Sequence, residues 1–120
     1  MSAQRTASSR RAAPVVSRLD FPVLAEFLHA YLHEECVAEY GSAEAARQVF
    51  LADASRDERH ALADECARFS RLIAHQPVAI VRRILAHDFG SAWWPGRTRE
   101  VIALLDPEVI DPGRGRNRGA

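Results

Sequence analysis

Residues 55–77 read SRDERHALADECARFSRLIAHQP, and this stretch decides the fold class of the chain. Ser55-Arg56-Asp57-Glu58 is the pattern of a capping box, in which a serine hydroxyl and a glutamate carboxylate three positions on satisfy free N–H groups at a helix start. Leu62, Cys66, Phe69 and Ile73 follow at spacings of three and four, so one apolar stripe runs for three turns. Gln76-Pro77 ends the helix, because proline disfavours helical geometry in the residue before it.

Both flanks repeat the helical rhythm. Upstream, Ala43 to Ala52 places Ala46, Val49 and Phe50 on one side, with Ser42 as its cap and Gly41 as the left-handed residue that closes the helix before it. That earlier helix starts at Asp20-Phe21-Pro22 and turns Leu24, Phe27, Leu28, Tyr31 and Leu32 inward. It is expected to run to about Glu39, with an irregularity near His33 to Cys36. Downstream, a fourth helix has Pro77 in its first turn and Val78, Val81, Ile84 and Leu85 facing the core. Gly90, Pro95 and Gly96 punctuate a loop holding Trp93 and Trp94, after which Val101, Ile102, Leu104 and Leu105 predict a short fifth helix stopped before Pro107. No strict alternation of apolar and polar residues persists, no Asn-Gly hairpin occurs, and no internal repeat is visible. With 120 residues, nearly half of them apolar, the chain suits one core and is too short for two. The expected fold is all-α: a small single-domain bundle of about five helices over residues 19–111, with disordered basic termini at 1–18 and 112–120.

The formal net charge of zero hides a division. Seven of the sixteen arginines (Arg5, Arg10, Arg11, Arg18, Arg114, Arg116 and Arg118) lie in the two ends, which contain no acid. The body from 19 to 111 therefore holds sixteen acids against nine arginines and carries about minus seven. Within it, Asp20, Glu26, Glu34, Glu35, Glu39 and Glu44 follow one another between Arg18 and Arg47 with no basic residue except histidine. Glu35 and Glu39 are one helical turn apart, a like-charge pairing that costs a few tenths of a kcal/mol and that a cationic partner relieves. A segment this one-sided either is an ordinary solvated face or docks something positively charged.

Other function classes find little support. No apolar run approaches the ~20 residues of a membrane span, and the first eighteen residues lack the hydrophobic centre of a secretion signal, so a soluble chain not exported by that route is expected. The Arg-, Ser- and Ala-rich composition of that segment fits an organellar transit peptide as well as a disordered extension, and the latter assumes less. Cys36 and Cys66 sit in apolar-periodic segments and read as buried free thiols of a reducing compartment. His29 and His33, four apart, would share a helical face, but no third or fourth ligand stands at a familiar distance, so no metal site is expected. His60 and Asp64 are likewise one turn apart without a nucleophile beside them, and no phosphate-cradling glycine loop or nucleophile elbow is present. The reading is a protein that is not an enzyme and carries no cofactor. Trp93 and Trp94 either cap the open end of the bundle or offer one indole as an interface anchor.

The strings Phe21-Pro22-Val23-Leu24-Ala25-Glu26-Phe27-Leu28-His29-Ala30-Tyr31-Leu32-His33-Glu34-Glu35 and Glu39-Tyr40-Gly41-Ser42-Ala43-Glu44, with Phe50-Leu51 at the end of the next helix, resemble the immunity proteins of bacterial contact-dependent growth inhibition systems. The resemblance covers the chain to about Ser55; beyond it only the rhythm of the helices and a tryptophan-containing turn are similar. It implies a cytoplasmic toxin inhibitor that acts by protein–protein interaction, binding the C-terminal toxin domain delivered by a neighbouring cell. Many such toxins act on nucleic acid and present a cationic groove, which an acidic surface can occupy. On this reading Glu34, Glu35 and Glu39 steer and pair, and Tyr40, Trp93 and Trp94 anchor, with neither nucleic acid nor membrane as partner. The alternative is a helical nucleic-acid-binding or regulatory module using Arg82, Arg83 and the basic ends as phosphate contacts, against which the acidic body argues. A helical scaffold or antitoxin subunit differs from the first reading only in its partner.

Overall fold

The computed structural model describes residues 14–113. After a 3-10 turn (Arg18–Asp20) come α1 (Pro22–Ala30), α2 (Cys36–Tyr40), α3 (Ala43–Asp53), α4 (Arg56–Ile73), α5 (Val78–Arg83), α6 (Thr98–Leu104) and α7 (Pro107–Ile110); a π-helical turn (Ile84–Asp88) continues α5. No strand occurs among the described residues, and five helices reach seven residues or more when α5 is counted with its π-helical continuation, so the fold is the all-α one that the periodicity predicts.

The helix read from 55–77 is the axis of the molecule. Ser55 Oγ accepts from the N–H of Glu58 at 3.1 Å, and Glu58 Oε1 accepts from the N–H of Ser55 at 2.9 Å, completing the capping box. Leu62, Cys66, Phe69 and Ile73 are fully buried, and α4 packs chiefly on α1 and α7. Phe69 meets Phe21 and Phe89 edge to face, with ring centroids 5.9 and 5.4 Å away. A second aromatic group, Phe27, Phe50 and Tyr31, fills the space between α1 and α3 with centroids 5.2 to 6.1 Å apart. Each phenylalanine so buried contributes ~1.5–3 kcal/mol.

Four local readings change against tertiary contacts. The first helix stops at Ala30 rather than near Glu39, and Cys36–Tyr40 forms a separate short helix. In a continuous helix the Leu32 carbonyl would accept from Cys36 N–H; here Ser91 Oγ (2.9 Å) and Ala92 N–H (3.1 Å) take it instead, and Cys36 N–H turns to His33 O at 3.0 Å. Pro22 does begin α1, but Asp20 does not cap it. Phe21 is the cap residue and offers no side-chain acceptor, so Glu65 on α4 supplies one, its Oε1 2.8 Å from the N–H of Leu24. On α3, Val49 is exposed and Arg47 is buried, because Arg47 Nη1 reaches the Leu104 carbonyl at the end of α6 at 2.7 Å. Pro77 is the residue before α5 rather than inside its first turn.

Order also begins before residue 19. Val16 is buried, and Ser17 Oγ accepts from Leu19 N–H at 3.2 Å to cap the 3-10 turn. Residues 1–13 of the expected N-terminal extension and 114–120 of the tail lie outside the described residues. Cys36 and Cys66 are both buried and free, and burial pushes both thiols above their ordinary range.

Burial also raises the Glu65 carboxyl above the usual carboxylate range, against the lowering pull of the Leu24 and Val23 N–H groups and Arg68. The folded chain thus holds that proton more tightly than the unfolded one, and the Glu65 contribution to stability falls as pH rises from the ordinary carboxylate value through the raised one. Glu65→Gln keeps an acceptor for Leu24 and is expected to flatten this part of the pH profile. Glu65→Leu leaves the N–H without a partner and is expected to cost about 1–3 kcal/mol in urea unfolding at neutral pH.

Candidate functional site

The interruption after Ala30 brings the acidic segment against the tryptophan loop. Besides the two bonds from Ser91 and Ala92 to the Leu32 carbonyl, His29 Nδ1 lies 3.2 Å from the Gly90 carbonyl. Gly90 has φ +63°, a left-handed conformation, and a Cβ there would stand 3.3 Å from His29 Nδ1, so the loop needs glycine on both counts. Ser91 N–H closes back on Leu85 O at 2.9 Å, and Ser91 Oγ accepts from Trp93 N–H at 3.2 Å. One buried serine therefore fixes the loop in two directions.

The result is a groove of about 320 Å³ whose walls include Glu34, Val37, Ala92, Trp93 and Trp94. Trp93 is half-buried against the core, whereas Trp94 is 68% exposed and Val37 71% exposed, so two apolar side chains stand open beside a carboxylate. Trp94 is not loose. The Arg82 guanidinium lies 4.8 Å from its ring centroid, and Arg82 Nε donates to the Pro95 carbonyl at 2.8 Å, clamping the loop to α5.

The acids divide into two kinds. The side chains of Glu34 and Glu35 are exposed and have no hydrogen-bond or ion-pair partner among the described residues. Glu39 is committed: its Oε1 lies 3.3 Å from His33 Nε2, and its carboxylate is near enough to the Tyr40 phenol to raise it. Because His33 Nδ1 accepts from Glu35 N–H at 3.1 Å, the ring's other nitrogen carries the proton that faces Glu39. Tyr40 stacks on Tyr31 at 5.7 Å, and partial desolvation together with the Glu39 carboxylate raises its phenol above the ordinary range. The structure thus joins Glu34, Trp93 and Trp94 in one groove with Glu35 nearby in sequence, while Glu39 pairs with His33 and Tyr40 stacks on Tyr31. Sequence reasoning missed Val37, and it read Arg82 as a phosphate contact rather than as the clamp on Trp94; the only hint of Val37 was an apolar residue directly after buried Cys36, on the other side of a short helix.

The remaining candidates are separated from one another or engaged in other contacts. His29 is on α1 and His33 beyond its end, so the shared helical face falls away, and no group of three metal-ligating side chains occurs among the described residues. His60 lies 3.2 Å from Asp111 and 3.8 Å from Asp64, an exposed link from α4 to the end of α7. No helix among the described residues is long and apolar enough to cross a membrane. No protein-family model, no curated protein and no solved structure matches this chain.

The Arg82 clamp yields a direct expectation. In a Trp93→Phe background, where Trp94 is the sole indole, Arg82→Ala should increase acrylamide quenching of its fluorescence while α-helical circular dichroism stays constant. Unchanged quenching would mean that Ser91 alone holds the loop.

Proposed function

We propose that this chain is an inhibitor of the contact-dependent growth inhibition immunity kind, which binds a cationic C-terminal toxin domain in the cytoplasm and blocks it. The observation that carries the reading is the pairing of an unsatisfied acid with exposed aromatic surface: Glu34 stands without a partner in the groove beside Trp94 and Val37, and Glu35, likewise without one, is its neighbour in sequence. Interfaces of high affinity concentrate energy in a few large anchors surrounded by complementary charge. Trp94 is such an anchor, already held by Arg82, so little side-chain freedom is lost when it docks. The acids of residues 20–44 supply the long-range attraction, and Glu34 and Glu35 the close pairs.

Glu39 and Tyr40 take a different role in this reading. The Glu39 contact with His33 and the stacking of Tyr40 on Tyr31 shape the turn that presents Glu34 and Glu35. The nucleic-acid alternative is weakened by Arg82, whose guanidinium is spent on Trp94 and Pro95 rather than offered to phosphate.

The test is a titration against the toxin domain encoded by the adjoining reading frame, paired with growth rescue on co-expression. Glu34→Lys combined with Glu35→Lys is expected to weaken binding on the order of 10- to 100-fold at low ionic strength and to flatten its salt dependence. Trp94→Ala is expected to cost at least about 2 kcal/mol of affinity with little salt effect. No binding and no rescue by the wild-type chain would remove the function; binding indifferent to all three substitutions would remove the surface.

A further inference from the structure

Trp94 has a second groove on its other flank. Ala79, Arg82, Arg83, Ala86 and His87 line it together with Trp94, its volume is about 320 Å³, and the two grooves share no wall except that indole. Its outer wall is the π-helical turn after α5, an uncommon geometry that concentrates at functional places in helices. Arg83 and His87 are exposed and have no hydrogen-bond or ion-pair partner among the described residues. One exposed indole therefore lines both grooves, with the Glu34 carboxylate in one, Glu35 next to it in sequence, and the Arg83 guanidinium and His87 imidazole in the other.

We infer that this face seats a second copy of the chain. A two-fold contact sets a patch against itself turned by half a rotation, so a self-complementary patch must carry an apolar centre with opposite charges on either side. That is the arrangement around Trp94: the axis passes at the indole, Glu34 and Glu35 of one copy meet Arg83 and His87 of the other, and the reciprocal pairing repeats across the axis. A second copy complements both sides of the indole at once. The whole chain has a formal net charge of zero, its basic ends cancelling the acidic body, so two copies approach without overall repulsion. This self-association goes beyond the inhibitor reading and uses the same acids, which makes dimer formation and toxin binding mutually exclusive.

Sedimentation velocity on the full chain, from micromolar to millimolar protein, tests the contact. The weight-average mass should climb from the monomer's 13.3 kDa towards twice that value, and added salt should shift the transition to higher concentration. Trp94→Ala should raise the dimer dissociation constant at least tenfold. Glu34→Arg with Glu35→Arg makes both halves basic, Arg83→Glu with His87→Glu makes both acidic, and each double variant should stay monomeric while their equimolar mixture recovers a dimer. A wild-type chain that is monomeric throughout, or double variants that dimerise alone as well as they do mixed, would overturn the proposal. Toxin titration of the Arg83→Glu, His87→Glu variant separates the two ideas, since it leaves Glu34, Glu35 and Trp94 in place.

Discussion

The Glu65 carboxylate, buried among the apolar side chains of α4, is the contact on which the rest of the fold turns. It accepts from N–H groups at the start of α1, which has no capping side chain of its own. A nine-residue helix is marginal in isolation, and one whose first N–H groups must borrow an acceptor from another helix forms only against it. Docking α1 this way places Phe21 against Phe69 and Phe89, uniting α1, α4 and the end of α5 in one aromatic cluster. The desolvation that raises the Glu65 pKa is the cost of that arrangement, offset by the hydrogen bonds it makes.

The same logic extends to the other helix ends. Short helices expose many terminal N–H and C=O groups for each residue they order, and distant side chains close several of them here. Arg47 binds the Leu104 carbonyl, Arg59 that of Ile110, Arg68 that of Asp20 and Arg82 that of Pro95. Arg68 and Arg82 add a second contact, lying over the rings of Phe21 and Trp94. A planar guanidinium donates along its edge while stacking with its face, which a lysine ammonium does less well. Four of the nine arginines in the body are thus turned to the chain's own carbonyls.

What was legible in the sequence was whatever a few adjacent residues decide. Ser55 with Glu58, Ser42 at the start of α3, Gly41 at φ +97° and the buried stripe of α4 all follow from local chemistry. The break after Ala30 was not legible as a helix end, because its cause lies 59 residues away in Ser91. Arg47 and Glu65 were invisible for the same reason, their partners being 57 and 41 residues distant, and a charged residue within an apolar period reads as solvated until its partner is known. Of the candidate site, Glu34 and the tryptophans come together, although nothing in their spacing requires it. Tyr40 reads as an interface anchor in sequence, and the turn folds it onto Tyr31.

That turn explains why so acidic a segment is tolerated. Of the three carboxylates within residues 34–39, Glu35 at the start of α2 stays one turn from Glu39, whose N–H donates to the Glu35 carbonyl at 2.8 Å, but Glu39 turns its side chain to His33, and Glu34 lies in the turn before α2. Glu34 and Glu35 are in water, where leaving them unpaired costs little. They are nonetheless held in place, since the Leu32 carbonyl just before them receives two hydrogen bonds from the tryptophan loop. Charge and indole are therefore positioned by one set of backbone contacts. On the inhibitor reading proposed above, a partner that met Glu34 would meet Trp94 at a set offset, and this placement, more than the number of acids, would be the source of discrimination among cationic proteins.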